Sequence, residues 1–298
     1  MKKTVFFLLM LLSFNFFSQT DSAKTFPKRK LIVSSTAGVA YTVSIIGLNQ
    51  LWYKPYSNGS FHFFNDNNEW LQMDKIGHSF STYQMGRGAI ELMIWSGFKP
   101  KLAAWVGGMS GSIYMSTIEV MDGFSSGWGF SWGDMGANVG GSLLATSQHL
   151  IWKEQRIQLK YSFHQTPYPQ YRPEILGTSL SDEFLKDYNG QTYWLSVNIS
   201  SFVKKENSFP KWLNVALGYG ADGMISGDPG YVIIQPDGKV LGNNRYRKYY
   251  ISLDLDLGRI KTRNKILKTV FKVINIVKIP APALEFSNKG IKGHAFFY

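Results

Sequence analysis

The 298 residues predict a mainly α protein: a glycine-rich, membrane-associated helical bundle followed by a smaller α+β C-terminal part. Three observations predict it. Uncharged stretches of helical length recur between residues 31 and 152, glycines recur within them every three or four residues, and alternating patterns are confined to the region after residue 189. The length is enough for one or two domains with a sizeable core.

In chain order, Lys2 and Lys3 precede an almost unbroken apolar run from Val5 to Phe17, and Ser18 to Ala23 are polar or small. A basic start, a short apolar run and a small or polar end describe a secretory signal peptide. Cleavage is expected near residues 18 to 20, so residues 1–19 are set apart. No cysteine occurs, so disulfides, thiolate metal sites and a lipidated cysteine are not expected.

Residues 28–160 form the expected bundle. "LIVSSTAGVAYTVSIIGLNQLWY" (31–53) is uncharged, follows Lys28-Arg29-Lys30 and ends on Trp52 and Tyr53. Its length suits one membrane span or a buried helix. After an Asn-rich aromatic loop, residues 74–97 read as a helix, with Arg87 and Glu91 able to pair at i,i+4. "LAAWVGGMSGSIYMSTI" (102–118) and "MGANVGGSLLATSQHLIW" (135–152) complete the set. Their glycines weaken a lone helix but allow close helix approach.

Residues 161–298 differ. Pro167, Pro169 and Pro173 mark an irregular linker, and Ser181 before "DEFLKDY" reads as an N-cap. Residues 189–203 and 210–224 fit a strand or a helix equally. "YVIIQPDGKVLG" predicts a hairpin around Asp237-Gly238. In "YYISLDLDLGRI", Tyr249, Ile251, Leu253, Leu255 and Leu257 face one way, and Tyr250, Ser252, Asp254 and Asp256 the other. A basic amphipathic helix is expected over 262–278, suited to an anionic membrane surface. A complete membrane barrel needs at least about eight strands. The pattern offers four to six, so no complete barrel is expected.

Net charge is +12, with nine Trp, sixteen Tyr and twenty-one Phe. An exported basic protein meets anionic lipid more readily than nucleic acid. Membrane lipid or envelope components are therefore the expected partners, nucleic acid is not, and no oligomeric state follows. The expected location is the cell envelope, facing the periplasm, at the outer membrane or membrane-associated.

Three polar pairs interrupt the bundle. Asp74 and His78 stand at i,i+4, Glu119 and Asp122 at i,i+3, and Asp134 and Asn138 at i,i+4. Each spacing puts both side chains on one helix face. If residues 74–97 and 102–118 are antiparallel, all six groups converge at one level. One His with carboxylates and an Asn can ligate an oxygen-preferring divalent metal, with all six residues as candidate ligands. His78, Glu119 and Asp134 can equally serve as acid/base groups. Asp74 and Asp134 also suit helix N-termini, and the set can be a buried polar network without chemistry. No residues suggest a bound organic cofactor.

"DKIGH" (74–78), "EVMD" (119–122) and "DMGANVGG" (134–141) together resemble the YfiM-like predicted periplasmic lipoproteins, a family of unknown function. A looser form of the pattern resembles VanZ-like membrane proteins. With "KDYNGQTYWLS" (186–196), the chain resembles the longer version found in Bacteroidetes-type envelope proteins. The departures are Asp122 where VanZ-like proteins carry Gln, a loop from Gly123 to Gly133 without Arg, and the missing cysteine. The resemblance implies an envelope protein and supplies no reaction. The expected role is structural or accessory. The alternatives are a metal-dependent or acid/base enzyme acting on a lipid or cell-wall intermediate, and a lipid-binding module.

Overall fold

The computed structural model describes residues 26–54, 56, 59–203, 209–242 and 244–297. The expected signal peptide lies outside them. The chain divides into two compact units: one of residues up to Asp66 with Gly77–Gln155, the other of Asn67–Ile76 with Arg156 onward.

The first unit is helical. Helix α1 (Phe26–Leu48) runs into a π-helical turn at Asn49–Tyr53. Helix α2 (Met73–Trp95) begins in the segment grouped with the second unit and continues through the first. A proline-started turn at Pro100–Leu102 and a π-helical stretch at Ala103–Gly107 lead into α3 (Gly108–Gly123). Helix α4 (Trp132–Trp152) starts where the Ser131 side chain caps the Asp134 amide at 3.1 Å. Two glycines explain how closely these helices approach. A Cβ on Gly111 would lie 2.5 Å from the Thr82 carbonyl oxygen of α2, and one on Gly141 would overlap the Ser79 carbonyl. The Ser112 amide, on α3, donates to Ser142 Oγ on α4 at 2.9 Å.

In the second unit, six antiparallel strands form one sheet in the order β1 (Ile157–Phe163), β2 (Gln191–Val197), β3 (Leu213–Asp222), β6 (Tyr246–Leu255), β7 (Ala281–Ser287), β8 (Gly290–Phe297). The expected hairpin forms β4 (Ile233–Ile234) and β5 (Val240–Leu241), with Gly238 at φ 81° in its turn. Helices α5 (Pro173–Leu176), α6 (Leu180–Lys186) and α7 (Lys265–Ile274) complete the unit. The sheet curls, so that Phe297 of the last strand packs on Trp194 of β2 (6.0 Å) and Tyr250 of β6 (4.5 Å).

Beside this cluster of Trp194, Ala216, Tyr250 and Phe297, the side enclosed by the curl is largely polar. Lys160 Nζ pairs with Asp254 at 2.7 Å, both fully buried, and donates to Asn275 Oδ1 at 3.0 Å. Ser196 donates to Asp254, Asn214 to Ser196 and Asn198 to Asn214, at 2.6 to 2.8 Å. The bonds to Asp254 on this path fall on its Oδ2, while the buried Oδ1 of the same carboxylate has no hydrogen-bond partner among the described residues.

This architecture overturns the mainly α reading. The C-terminal half is a large antiparallel sheet, and residues 191–197 and 213–222 are strands. They looked equally helical because half of each strand is polar or glycine and still buried, so no apolar stripe marked the core side. The membrane-associated bundle is corrected as well. Among the described residues a single helix, Pro27–Tyr53, is long and apolar enough to cross a membrane, judged by length and composition only. Two local readings also shift. Ser179, not Ser181, caps α6 by accepting from the Asp182 amide, and the basic helix is shorter than 262–278, starting from an Asn264 cap.

Candidate functional site

Three helices of the first unit bring carboxylates to one imidazole. His78 lies in the second turn of α2, Glu119 near the end of α3, and Asp134 in the first turn of α4. One potential ligand atom from each lies within 4.8 Å of the others. Glu119, Asp134 and Asn138 are buried, while the His78 side chain keeps 20% of its surface exposed and forms the open edge.

The hydrogen bond to Asn138 decides which nitrogen of His78 is available. His78 Nδ1 lies 3.0 Å from Asn138 Oδ1. An amide oxygen only accepts, so Nδ1 carries the proton and the neutral ring keeps its lone pair on Nε2. Nε2 faces Asp134 Oδ1 at 4.0 Å, beyond hydrogen-bond length. Glu119 Oε1 lies 3.7 Å from Nδ1. Glu119 Oε2 accepts from the Ser131 amide at 3.3 Å, and the Ser131 hydroxyl donates to Asp66 at 2.6 Å. The loop that places Ser131 is pinned by aromatic packing, with Phe61 against Phe130 and Phe124, and Trp128 against Tyr53 and Tyr56.

Negative charge is crowded here. Burial, then the neighbouring Asp134 and Asp122, push the Glu119 carboxyl up to about 8. Burial pushes Asp122 up to about 6, against the pull of the Tyr53 hydroxyl and of His78. Tyr53 donates to Asp122 Oδ1 at 2.6 Å. Such a cluster must hold protons or a cation, because like charges in a dry site cannot all stay ionised.

Of the six residues singled out by spacing, His78, Glu119, Asp134 and Asn138 come together, and Asp122 lies close enough for His78 to act on its carboxyl. Asp74 is one helical turn before His78, in the segment grouped with the second unit, and pairs with Lys75 at 3.0 Å. Tyr53, Asp66 and Ser131 were not foreseen. Ser131 had a visible signal, a Ser three residues before Asp134 at a helix start. Tyr53 and Asp66 reach the site from loop and helix-end positions that no spacing rule connects to it.

The first unit thus carries a buried carboxylate–imidazole cluster on three helices. Residues 62–149 match a family model described as "Predicted periplasmic lipoprotein (DUF2279)". That stretch is less than a third of the chain and contains His78, Glu119, Asp122, Asp134 and Asn138. The match supports an exported envelope protein of an uncharacterised family, and it does not single out the YfiM-like or VanZ-like groups. No curated protein and no solved structure matches the chain.

Proposed function

We propose that the protein is an envelope component whose helical unit holds a divalent cation between His78 Nε2, Glu119 and Asp134. The observation that carries this reading is the His78–Asn138 hydrogen bond. It fixes the tautomer whose free lone pair is turned toward a carboxylate too distant to bond it directly. A cation also offsets the crowding of buried carboxylates. One imidazole with two carboxylates suits manganese- or zinc-like ions and leaves positions for water, the arrangement used for metal-assisted hydrolysis.

Metal analysis of protein purified without chelator, followed by titration of Mn²⁺ or Zn²⁺ into metal-free protein, tests the proposal. About one equivalent of metal is expected, with a rise in melting temperature on titration. Glu119→Gln and Asp134→Asn should abolish binding. Asn138→Ala should weaken it by about 10- to 100-fold, the usual effect of losing a group that orients a ligand. Unaltered protein that binds neither ion at millimolar concentration, together with a Glu119→Gln variant more stable than its parent, would leave an inert polar network and sink the metal reading.

A further inference from the structure

The six-stranded sheet has the polarity of an ordinary sheet reversed. Its enclosed side carries Lys160, Ser196, Asn214, Lys248, Ser252 and Asp254, all buried. That side also holds the cluster of Trp194, Ala216 and Tyr250, whereas the other side carries the aliphatic residues and leaves them open: Leu217 is 52% exposed, Ile251 41%, Leu253 48% and Leu284 48%. Register makes this a continuous surface. Leu195, Leu217, Ile251 and Leu284 stand opposite one another across four strands. So do Tyr219, Tyr249, Phe286 and Ile291 one row along. Apolar outside and polar inside is the arrangement that lipid selects and water does not.

The surface is also graded. Along β6 the outward residues run Arg247, Tyr249, Ile251, Leu253, from basic through aromatic to aliphatic. This is the sequence met on passing from headgroups to acyl chains. At the basic end lies an open cleft of about 400 Å³, lined by Arg245, Arg247, Tyr249, Phe286 and Asn288 among others. Arg247 donates to the Tyr219 hydroxyl and to Gln72. Arg245 gives one N–H to the Gly227 carbonyl at 3.0 Å, while its buried Nε and Nη2 have no hydrogen-bond partner among the described residues. The charges of Asp228 and Glu69 act on it against the effect of burial. Two arginines beside one open cleft give it the positive charge that an oxyanion meets.

We propose that this sheet face is a lipid-contact surface. The Arg245–Arg247 cleft takes the phosphate of an anionic lipid, and the Leu217–Ile251–Leu284 band meets its acyl chains. Charge decides the occupant. A second copy would set arginine against arginine in a chain of net charge +12, whereas an anionic bilayer offers phosphate and hydrocarbon in the order the face presents. The proposal concerns the second unit and is independent of the cation reading.

The absence of cysteine makes the test direct. Nitroxide labels at Ile251→Cys, Leu284→Cys and, in the exposed hairpin, Lys239→Cys are placed in full-length protein bound to phosphatidylglycerol vesicles. Labels at 251 and 284 should be relaxed mainly by oxygen, as in hydrocarbon, and the label at 239 by a water-soluble nickel complex. Arg245→Gln and Arg247→Gln should each weaken binding to these vesicles about fivefold, with unchanged circular dichroism. Phosphatidylcholine vesicles should bind less than phosphatidylglycerol ones. Nickel-dominated relaxation at 251 and 284 would overturn the proposal. So would displacement from vesicles by millimolar inorganic phosphate, which would make the cleft a free-phosphate site. Equal binding of both lipids, unaffected by the arginine variants, would overturn the headgroup assignment.

Discussion

His78 shows how one neighbour sets a side chain's chemistry. Its position one turn inside α2 was visible from its spacing to Asp74, but its tautomer depends on Asn138, sixty residues away. His149, on the same α4 as Asn138, is a contrasting case. Burial, with Lys153 adding to it and Glu91 opposing, holds the His149 ring below the usual histidine range. The folded state therefore binds fewer protons at this ring than the unfolded state, so its contribution to stability is complete above about pH 6.5 and is lost as pH falls below that. His149→Gln should flatten the loss of urea stability between pH 7 and pH 5.5. An unchanged slope would mean that His149 stays neutral in both states, or charges equally in both. Glu119 and Asp122, raised to about 8 and about 6, act in the opposite direction in metal-free protein. The variant and its parent must therefore be compared in the same metal state.

At the level of elements, glycine is where the sequence was partly legible. Its recurrence announced close helix packing, yet two adjacent glycines in α4 do different things. Gly141 faces the Ser79 carbonyl and the Thr82 hydroxyl of α2, whereas nothing lies within 4 Å of a Cβ on Gly140. Gly140→Ala should stabilise the protein by about 0.5–1 kcal/mol, because alanine loses less entropy in a helix. Gly141→Ala should cost about 1–3 kcal/mol by forcing α4 from α2. Thermal melts of the two variants should shift in opposite directions. Equal shifts would show that the packing around Gly141 yields. The strands were legible in a different way. The alternation of β6 is plain residue by residue, but the side taken by the core is not, since alternation gives two faces and only hydrophobicity suggests which is buried. Here that guide fails, because Lys160 pairs with Asp254 and Asn214 reaches Asp254 through Ser196 inside the sheet.

For the whole molecule, the least predictable feature is the way the chain is shared between units. Asn67–Ile76 comes from the N-terminal half and is grouped with the sheet. Within that unit Trp70 packs on Tyr188 at 5.2 Å, the Leu71 carbonyl accepts from Tyr219, and Gln72 accepts from Arg247. No periodicity signals this, because the contacts join residues more than a hundred positions apart. The backbone carries a further mark of the constraint. Trp70, Leu71 and Gln72 have φ of 45°, 51° and 64°, a left-handed run without glycine. Each such residue costs on the order of 1 kcal/mol or more, and persists only where surrounding contacts hold it. The contacts of Trp70, Leu71 and Gln72 with Tyr188, Tyr219 and Arg247 supply that hold. A fragment beginning at Arg156 keeps every described strand but loses this segment, and with it the contacts that Trp70, Leu71 and Gln72 make to Tyr188, Tyr219 and Arg247. It should therefore express as an aggregation-prone or partly folded species. Co-expression with residues 26–155 should restore protease resistance, because the missing segment then returns in trans. A fragment starting at Arg156 that alone melts cooperatively at the temperature of the intact chain would show that the segment rests on the sheet without supporting it.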